Sequence, residues 1–296
     1  MPEQPKVIRK RIKSVSSTSK ITRTMEMVAT AKLRTAQQRV TSSGPYLEQL
    51  GELMREIGAS GVDVSRWPQF ETRDTKRTLL FVMTSNRGLC GAFNANLYRL
   101  ARKTYEAKVR DGHEVTLYMA GRKGVTASRY QGTKMDKTYI DELSDKPTPD
   151  DAEFFLNELM TPFMNGEVDE VVVVYPHWIN MGKQPPTALR LLPIAPDASD
   201  DEEEETSNSN ALPPIFEPSP EAILDQLLPL YLRQTVYSIL AEAVASEQLA
   251  RRMAMKLATD NAGELVNDLT RQYNQARQAQ ITKELSEIIG GAEALK

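Results

Sequence analysis

A chain of 296 residues with one cysteine and two histidines has length for one or two globular units, yet rules out a disulfide framework and a zinc site built from Cys and His ligands. No apolar run of about 18 residues spans a bilayer, and the start MPEQPKVIRKRIKSV lacks the apolar stretch of a secretory signal, so the chain is expected to stay on the side of the membrane where it is made. The net charge of -3 hides a segregation: ten Lys and Arg oppose two acids in residues 1–40, whereas residues 196–228 hold ten acids and no Lys or Arg.

In chain order, residues 3–58 contain no glycine before Gly44 and carry an apolar stripe at Ile8, Ile12, Val15, Ile21, Met25, Val28, Leu33, Ala36 and Val40. That spacing predicts one long helix, bent near Gly44-Pro45. The stripe is narrow and broken by Ser16, Ser17, Thr18 and Ser19, so the helix needs a partner helix to bury it. Residues 59–76 read as a linker, after which the period changes. The runs Leu79–Met83, Val115–Met119 and Val171–Tyr175 have the character of buried parallel strands. Helical stretches at about 94–111 and 151–165 separate them, and Ala188–Leu192 reads as a further strand. This alternation describes an α/β unit over 77–195.

The acidic stretch DASDDEEEETSNSN, residues 197–210, is expected to be a disordered surface loop. Ser219-Pro220-Glu221 then supplies an N-cap, a proline at the first helical position and an acid in the first turn. The helical pattern from there to about Ile289 is interrupted by Pro229 and Gly263; its roughly 70 residues would reach about 100 Å. Leu249, Met253, Leu257, Ala262, Leu265, Val266, Leu269, Tyr273, Ala276, Ile281, Leu285 and Ile288 keep the spacing of a coiled-coil seam. The two terminal helices are the natural partners of each other, and the longer C-terminal one should extend past the pair or meet another protein.

Few residues suggest chemistry. The turn Ser85-Asn86-Arg87-Gly88-Leu89-Cys90-Gly91 sits where α/β proteins bind phosphate, but it matches neither G-x-G-x-x-G nor G-x-x-x-x-G-K-[ST], and a tight structural turn is the favoured reading. Cys90 reads as a small buried residue and His113 as a solvated loop residue. His177 follows a strand end, without a matching acid or nucleophile in the sequence around it. The basic first helix could grip nucleic acid, but residues 1–45 contain no aromatic side chain for stacking, and a partner-facing helix is preferred.

Several stretches together resemble the gamma subunit of F-type ATP synthases: IKSVSSTSKITRTMEMVA (12–29), TSNRGLCGAFN (84–94), ASEQ (245–248), MKLATDN (255–261) and YNQARQAQITKELSEII (273–289). They lie at both ends and in the middle, in the family's order; the acidic stretch departs from the pattern. The resemblance implies an α/β fold with a long antiparallel coiled coil of the N- and C-terminal helices plus a small Rossmann-like α/β domain. It divides the chain into an N-terminal coiled-coil helix (1–58), the α/β domain (77–195), an acidic loop and linker (196–218) and a C-terminal coiled-coil helix (219–290).

The same resemblance implies a non-catalytic central-stalk rotor without cofactor or metal, peripheral on the cytoplasmic side of the cell membrane. Its expected partners are the alpha and beta subunits, the epsilon subunit and the membrane c-ring, with no nucleic acid. Carried over by position, Met25 resembles the shaft residue facing an acidic loop of a catalytic subunit. Arg277 and Gln278 match a segment gripped by a catalytic-subunit loop, and Thr282, Glu284 and Glu287 match a C-terminal signature for efficient coupling. Two rival readings are a nucleotide-binding α/β enzyme using the 84–94 turn and His177, and a coiled-coil adaptor.

Overall fold

The most apolar runs of the sequence make the centre of a five-stranded sheet, because only a strand covered on both faces can bury every side chain. The computed structural model describes residues 4–71, 73, 76–194 and 216–293; the expected acidic loop at 197–210 lies outside the described residues. The strands are β1 (Arg77–Met83), β2 (Glu114–Ala120), β3 (Lys137–Tyr139), β4 (Glu170–Pro176) and β5 (Pro186–Leu192), in the order β3-β2-β1-β4-β5. The pairs of β1 with β2, β1 with β4 and β2 with β3 are parallel. β5 pairs antiparallel with β4, as it must: the connection from Pro176 to Pro186 is shorter than the dozen or so residues of a parallel crossover.

Five helices complete the fold: α1 (Pro5–Ala59), α2 (Phe93–Arg110), α3 (Arg122–Tyr130), α4 (Pro149–Met164) and α5 (Pro220–Glu293). Two short 3-10 turns, Val64–Arg66 and Pro68–Phe70, occupy part of the expected linker. Side chains alternate across β1 with period two. Leu79, Phe81 and Met83 face Phe155, Leu159 and Phe163 of α4, residues Leu224–Ala243 of α5, and Leu50 and Ile57 of α1. Leu80 and Val82 face Leu97 and Ala101 of α2 and Val125 of α3. α4 begins in a capping box, with Thr148 accepting from the Asp151 amide and Asp151 accepting from the Thr148 amide. At the start of α5 the Ala222 amide donates to Ser219 Oγ at 3.2 Å, the cap read from Ser219-Pro220-Glu221.

The described chain forms two contact units: residues 1–31 with 251–296, and residues 32–250. In the second, the sheet shares its core with the adjoining parts of α1 and α5. There Ala36 packs with Val244 and Ala245, and Gln234 Nε2 donates to the Ser43 carbonyl at 3.5 Å, so the helices run antiparallel. In the first, Thr22 Oγ1 and Thr259 Oγ1 hydrogen-bond at 2.8 Å.

The long helices correct the sequence reading in two respects. α1 is the one long helix expected, continuous through Pro45, but in α5 neither Pro229 nor Gly263 makes the expected interruption. A helix-interior proline costs about 3 kcal/mol, which burial of its neighbours offsets: Leu50 beyond Pro45, and Leu227, Leu228 and Leu232 around Pro229, are all buried.

The second correction concerns the seam. On α1 a continuous line of buried and half-buried positions runs through Ile8, Ile12, Val15, Ser19, Thr22, Glu26, Ala29, Leu33, Ala36, Val40, Ser43, Leu47, Leu50, Met54 and Ile57, an unbroken alternation of four and three residues. A period of 3.5 is that of a left-handed supercoil. The apolar Ile21 and Val28, expected in the stripe, are 60% and 53% exposed. Ser19, Thr22 and Glu26 hold the seam instead, so Ser19 of the run that looked like an interruption belongs to it, while Ser17 and Thr18 are exposed. On α5 the corresponding line is Met255, Thr259, Ala262, Val266, Leu269, Tyr273 and Ala276, whereas Met253, Leu257 and Leu265 are exposed.

Candidate coupling surface

The helix seam ends where the partner helix does: α1 begins at Pro5, and with Thr22 opposite Thr259 in an antiparallel pair Pro5 falls opposite about residue 276. Continuing its register beyond Ala276 brings Gln280, Lys283 and Glu287 into line, none of which would gain from burial. Every described side chain from Arg277 to Ala292 is exposed. Ile281, Leu285, Ile288 and Ile289, large apolar residues that a seam would bury, are among them. At about 100° per residue they share one stripe, turned by roughly 150° from the continuing seam line. This corrects the expectation that Ile281, Leu285 and Ile288 carry the coiled coil onward.

Five of the expected coupling residues stand on this same segment. Gln278 and Thr282 flank the apolar stripe on one side, Arg277 and Glu284 on the other, and Glu287 lies further round. Their hydrogen bonds are local. Thr282 Oγ1 donates to the Gln278 carbonyl at 3.0 Å, Gln280 Nε2 donates to Glu284 Oε1 at 2.8 Å, and Lys283 Nζ lies 3.7 Å from Glu287 Oε1. Such exposed contacts within one helix contribute little stability and leave the side chains available to a partner. Met25 is on α1, half-buried beside the exposed Ile21 and Val28. The stripe is the feature that sequence reasoning misassigned; the signal for it was the apolar set stepping out of the register of 269, 273 and 276.

The carboxyl edge of the sheet, where a doubly wound fold binds nucleotides, is closed by the protein's own groups. Ser85 donates its amide to Asn94 Oδ1 at 2.9 Å. Asn86 Nδ2 donates to the Ile140 and Leu143 carbonyls. The first amides of α3 are also occupied: Arg122 donates to Asn86 Oδ1, Lys123 to the Ser85 carbonyl and Gly124 to Thr84 Oγ1. Gly121, at φ 93°, lets β2 turn against Thr84, whose carbonyl oxygen would lie 2.1 Å from an added Cβ. Where α5 meets this edge a cavity of about 20 Å³ lies among Met83, Thr84, Phe93, Ala243 and Val244, room for a water molecule and far below the few hundred Å³ of a nucleotide pocket.

His177 and His113 have structural partners too. The His177 ring is hydrogen-bonded through Nδ1 to Glu242 Oε2 at 2.9 Å, the same oxygen accepts the Trp178 amide at 2.8 Å, and Ser238 Oγ donates to Glu242 Oε1 at 3.0 Å. Glu242 is buried on α5, so this cluster fastens the end of β4 to that helix. Burial, with Glu242 nearby, pushes the Tyr175 phenol well above its ordinary range, which keeps it neutral. At the opposite edge His113 Nδ1 meets Thr78 Oγ1 at 3.0 Å, so it is not simply a solvated loop residue. The hydroxyls beside the two histidines, Thr78 and Tyr175, are both buried in the sheet, out of reach of a substrate.

With this geometry in view, the family model described as ATP synthase matches residues 4–295. The chain is 43% identical over 292 residues to the ATP synthase gamma chain of Gemmatimonas aurantiaca, covering 98% of each. It is 39% identical over 290 residues to the ATP synthase gamma chain of Glaesserella parasuis, covering 98% of this chain and 99% of that one. Its fold is similar to a chain in the solved Euglena gracilis mitochondrial ATP synthase, with a TM-score of 0.67, 19% identity, and coverage of 98% and 94%. The chain belongs to the ATP synthase gamma chain family.

Proposed function

We propose that the chain is the central-stalk rotor of its ATP synthase, a shaft whose terminal helices turn inside a ring of alternating alpha and beta subunits. In this reading it is non-catalytic and meets the epsilon subunit and the membrane c-ring through its α/β part. It sits peripherally on the cytoplasmic side of the cell membrane; no described helix is long and apolar enough to cross one. The observation that carries the reading is the end of α5, which leaves its partner helix at Ala276 and presents an apolar stripe on another face. An apolar helix face without a partner inside the chain calls for one outside it.

Coupling follows from asymmetry. Two unlike helices touch three chemically identical catalytic subunits through different side chains, so each subunit is biased toward a different conformation. Turning the shaft changes which subunit receives which contacts, and by linkage the nucleotide state of each subunit biases the shaft angle in return. A difference of a few kcal/mol in these contacts shifts a two-state population by orders of magnitude. Met25 is proposed to face an acidic catalytic-subunit loop, Arg277 and Gln278 to be gripped by another, and Thr282, Glu284 and Glu287 to keep the contact in register.

The reading is tested by reconstitution. The purified chain should show no ATP hydrolysis, and should co-assemble with alpha and beta subunits into a rotating, ATP-hydrolysing complex whose mass is measured directly. Failure to co-assemble overturns it. In membranes, Met25→Lys should lower proton pumping per ATP hydrolysed, because the added cation would bind the acidic loop too tightly; unchanged pumping per ATP removes Met25 from the proposal.

A further inference from the structure

On the face of the sheet opposite α4, a cleft of about 380 Å³ opens between α2 and α3. Arg99 and Arg102 line it from α2 and Lys123 from α3, with Tyr98, Asn94 and Gln131 as neutral polar groups and no carboxylate in the lining. Tyr98 OH donates to Gln131 Oε1 at 3.2 Å, joining the two helices. Arg99 Nη1 donates to the neutral Asn96 Oδ1, and among the described residues neither Arg99 nor Lys123 is paired with a carboxylate. Arg102 lies 3.3 Å from Glu106 on the next turn, with both side chains mostly exposed; such a pair is screened and easily exchanged.

Bringing three cations to one concave site is unfavourable without an anion, and the local sequence takes trouble to do so. Gly88 carries no positive φ, so its backbone does not require glycine; a Cβ there would lie 3.2 Å from Lys123 Cε and 3.4 Å from Nζ. The missing side chain leaves the Lys123 stem its path over the 84–94 turn. Since the first amides of α3 already have internal partners, the cleft works through side chains rather than through a helix terminus. Its volume falls in the range of small-molecule sites, and two guanidinium forks with one ammonium suit a tetrahedral oxyanion that accepts from several directions.

We propose that this cleft is a binding site for a phosphate-bearing anion, taken either as a free oligophosphate or as the phosphate of a lipid headgroup. The site is independent of the shaft reading above, since none of its residues belongs to the proposed coupling surface. It borders the closed carboxyl edge, sharing Asn94, Lys123 and Gly124 with it, and opens on the α2–α3 side, away from Ala243 and Val244.

The test uses the full chain at about 150 mM salt, where non-specific attraction is screened within about a nanometre. Tripolyphosphate is titrated calorimetrically, and flotation is measured with phosphatidylcholine vesicles with and without phosphatidic acid. The R99A/R102A/K123A variant is compared with K6A/K10A/K13A, which removes three exposed cations of α1, and circular dichroism checks that both are folded. Saturable binding of either probe that weakens about tenfold or more in the cleft variant and stays as in the wild type in the α1 variant supports the site. Response to tripolyphosphate alone assigns a soluble ligand; response to phosphatidic acid alone assigns a headgroup. Absence of binding to both probes, or binding that the α1 variant loses as much as the cleft variant, overturns the proposal.

Discussion

Glu242 holds three donors at once, the His177 ring, the Trp178 amide and Ser238 Oγ, and it is buried while doing so. Replacing it with alanine leaves those donors short of an acceptor and should lower stability by about 2–4 kcal/mol, read from denaturant unfolding; Glu242→Gln, which keeps an acceptor, should lose less. Asp169 and Glu170 are also buried carboxylates with clear partners, Glu170 with Lys108 and Thr78 and Asp169 with Arg77. The Arg77 guanidinium, with the Lys76 and Arg77 amides, holds the Asp169 carboxyl below the ordinary value of 3.8. The unfolded chain therefore binds this proton at higher pH than the folded one. The stabilisation is complete above about pH 4 and is lost as pH falls through the depressed folded value. Asp169→Asn should flatten the acid limb of the stability profile, and an unchanged limb would assign it to other carboxylates. Neither role was legible in the sequence, where Glu242 is one acid among forty Asp and Glu and only the fold brings it to His177, sixty-five positions away.

At the scale of elements, the strands could be read because each is an apolar run bounded by turn residues, and the sheet imposes burial on both faces. α3 and β3 could not be: the buried face of Arg122–Tyr130 is made of Gly124, Val125 and Ser128, only one of them a large apolar residue, and β3 is three residues long, so both depend on neighbours for their conformation. The seam of α1 shows a different limit. Choosing apolar residues gave Ile21, Met25 and Val28, whereas the register carried through from Ile12 and Val15 to Leu33 and Ala36 gives Ser19, Thr22, Glu26 and Ala29. The two choices differ experimentally. Ala29 is 1% exposed, so Ala29→Leu should overpack the seam and cost about 1–3 kcal/mol. Ile21→Ala, on the exposed side, should change stability by less than about 0.5 kcal/mol. Equal effects from the two, measured by thermal unfolding, would show that the assigned register is wrong.

For the molecule as a whole, the gamma-chain motifs at 12–29, 84–94 and 245–289 made membership in the family legible, because they occur together and in order. That the end of α5 extends past the pair was legible too, from the greater length of the C-terminal helix; the face its isoleucines and leucine take was not, since by composition they fit a seam. Removing residues 277–296 should leave the unfolding midpoint nearly unchanged, because no described side chain beyond Ala276 is buried. The same truncation should weaken assembly with the alpha and beta subunits, measured by the concentration needed to form the complex. A large fall in the midpoint would mean that the tail packs on its own chain, and intact assembly would mean that the contact lies elsewhere.

The closed carboxyl edge of the sheet has one more consequence. An α/β fold of this topology ordinarily alternates between empty and occupied states, and its occupancy follows the concentration of what it binds. Here the occupant is a length of α5, with Ala243 and Val244 beside β1 and Glu242 fastened at β4. A covalently attached occupant has an effective concentration that dilution cannot lower. The edge is saturated under all conditions in which the chain is folded, and what would have been a sensor of its surroundings has become a permanent joint.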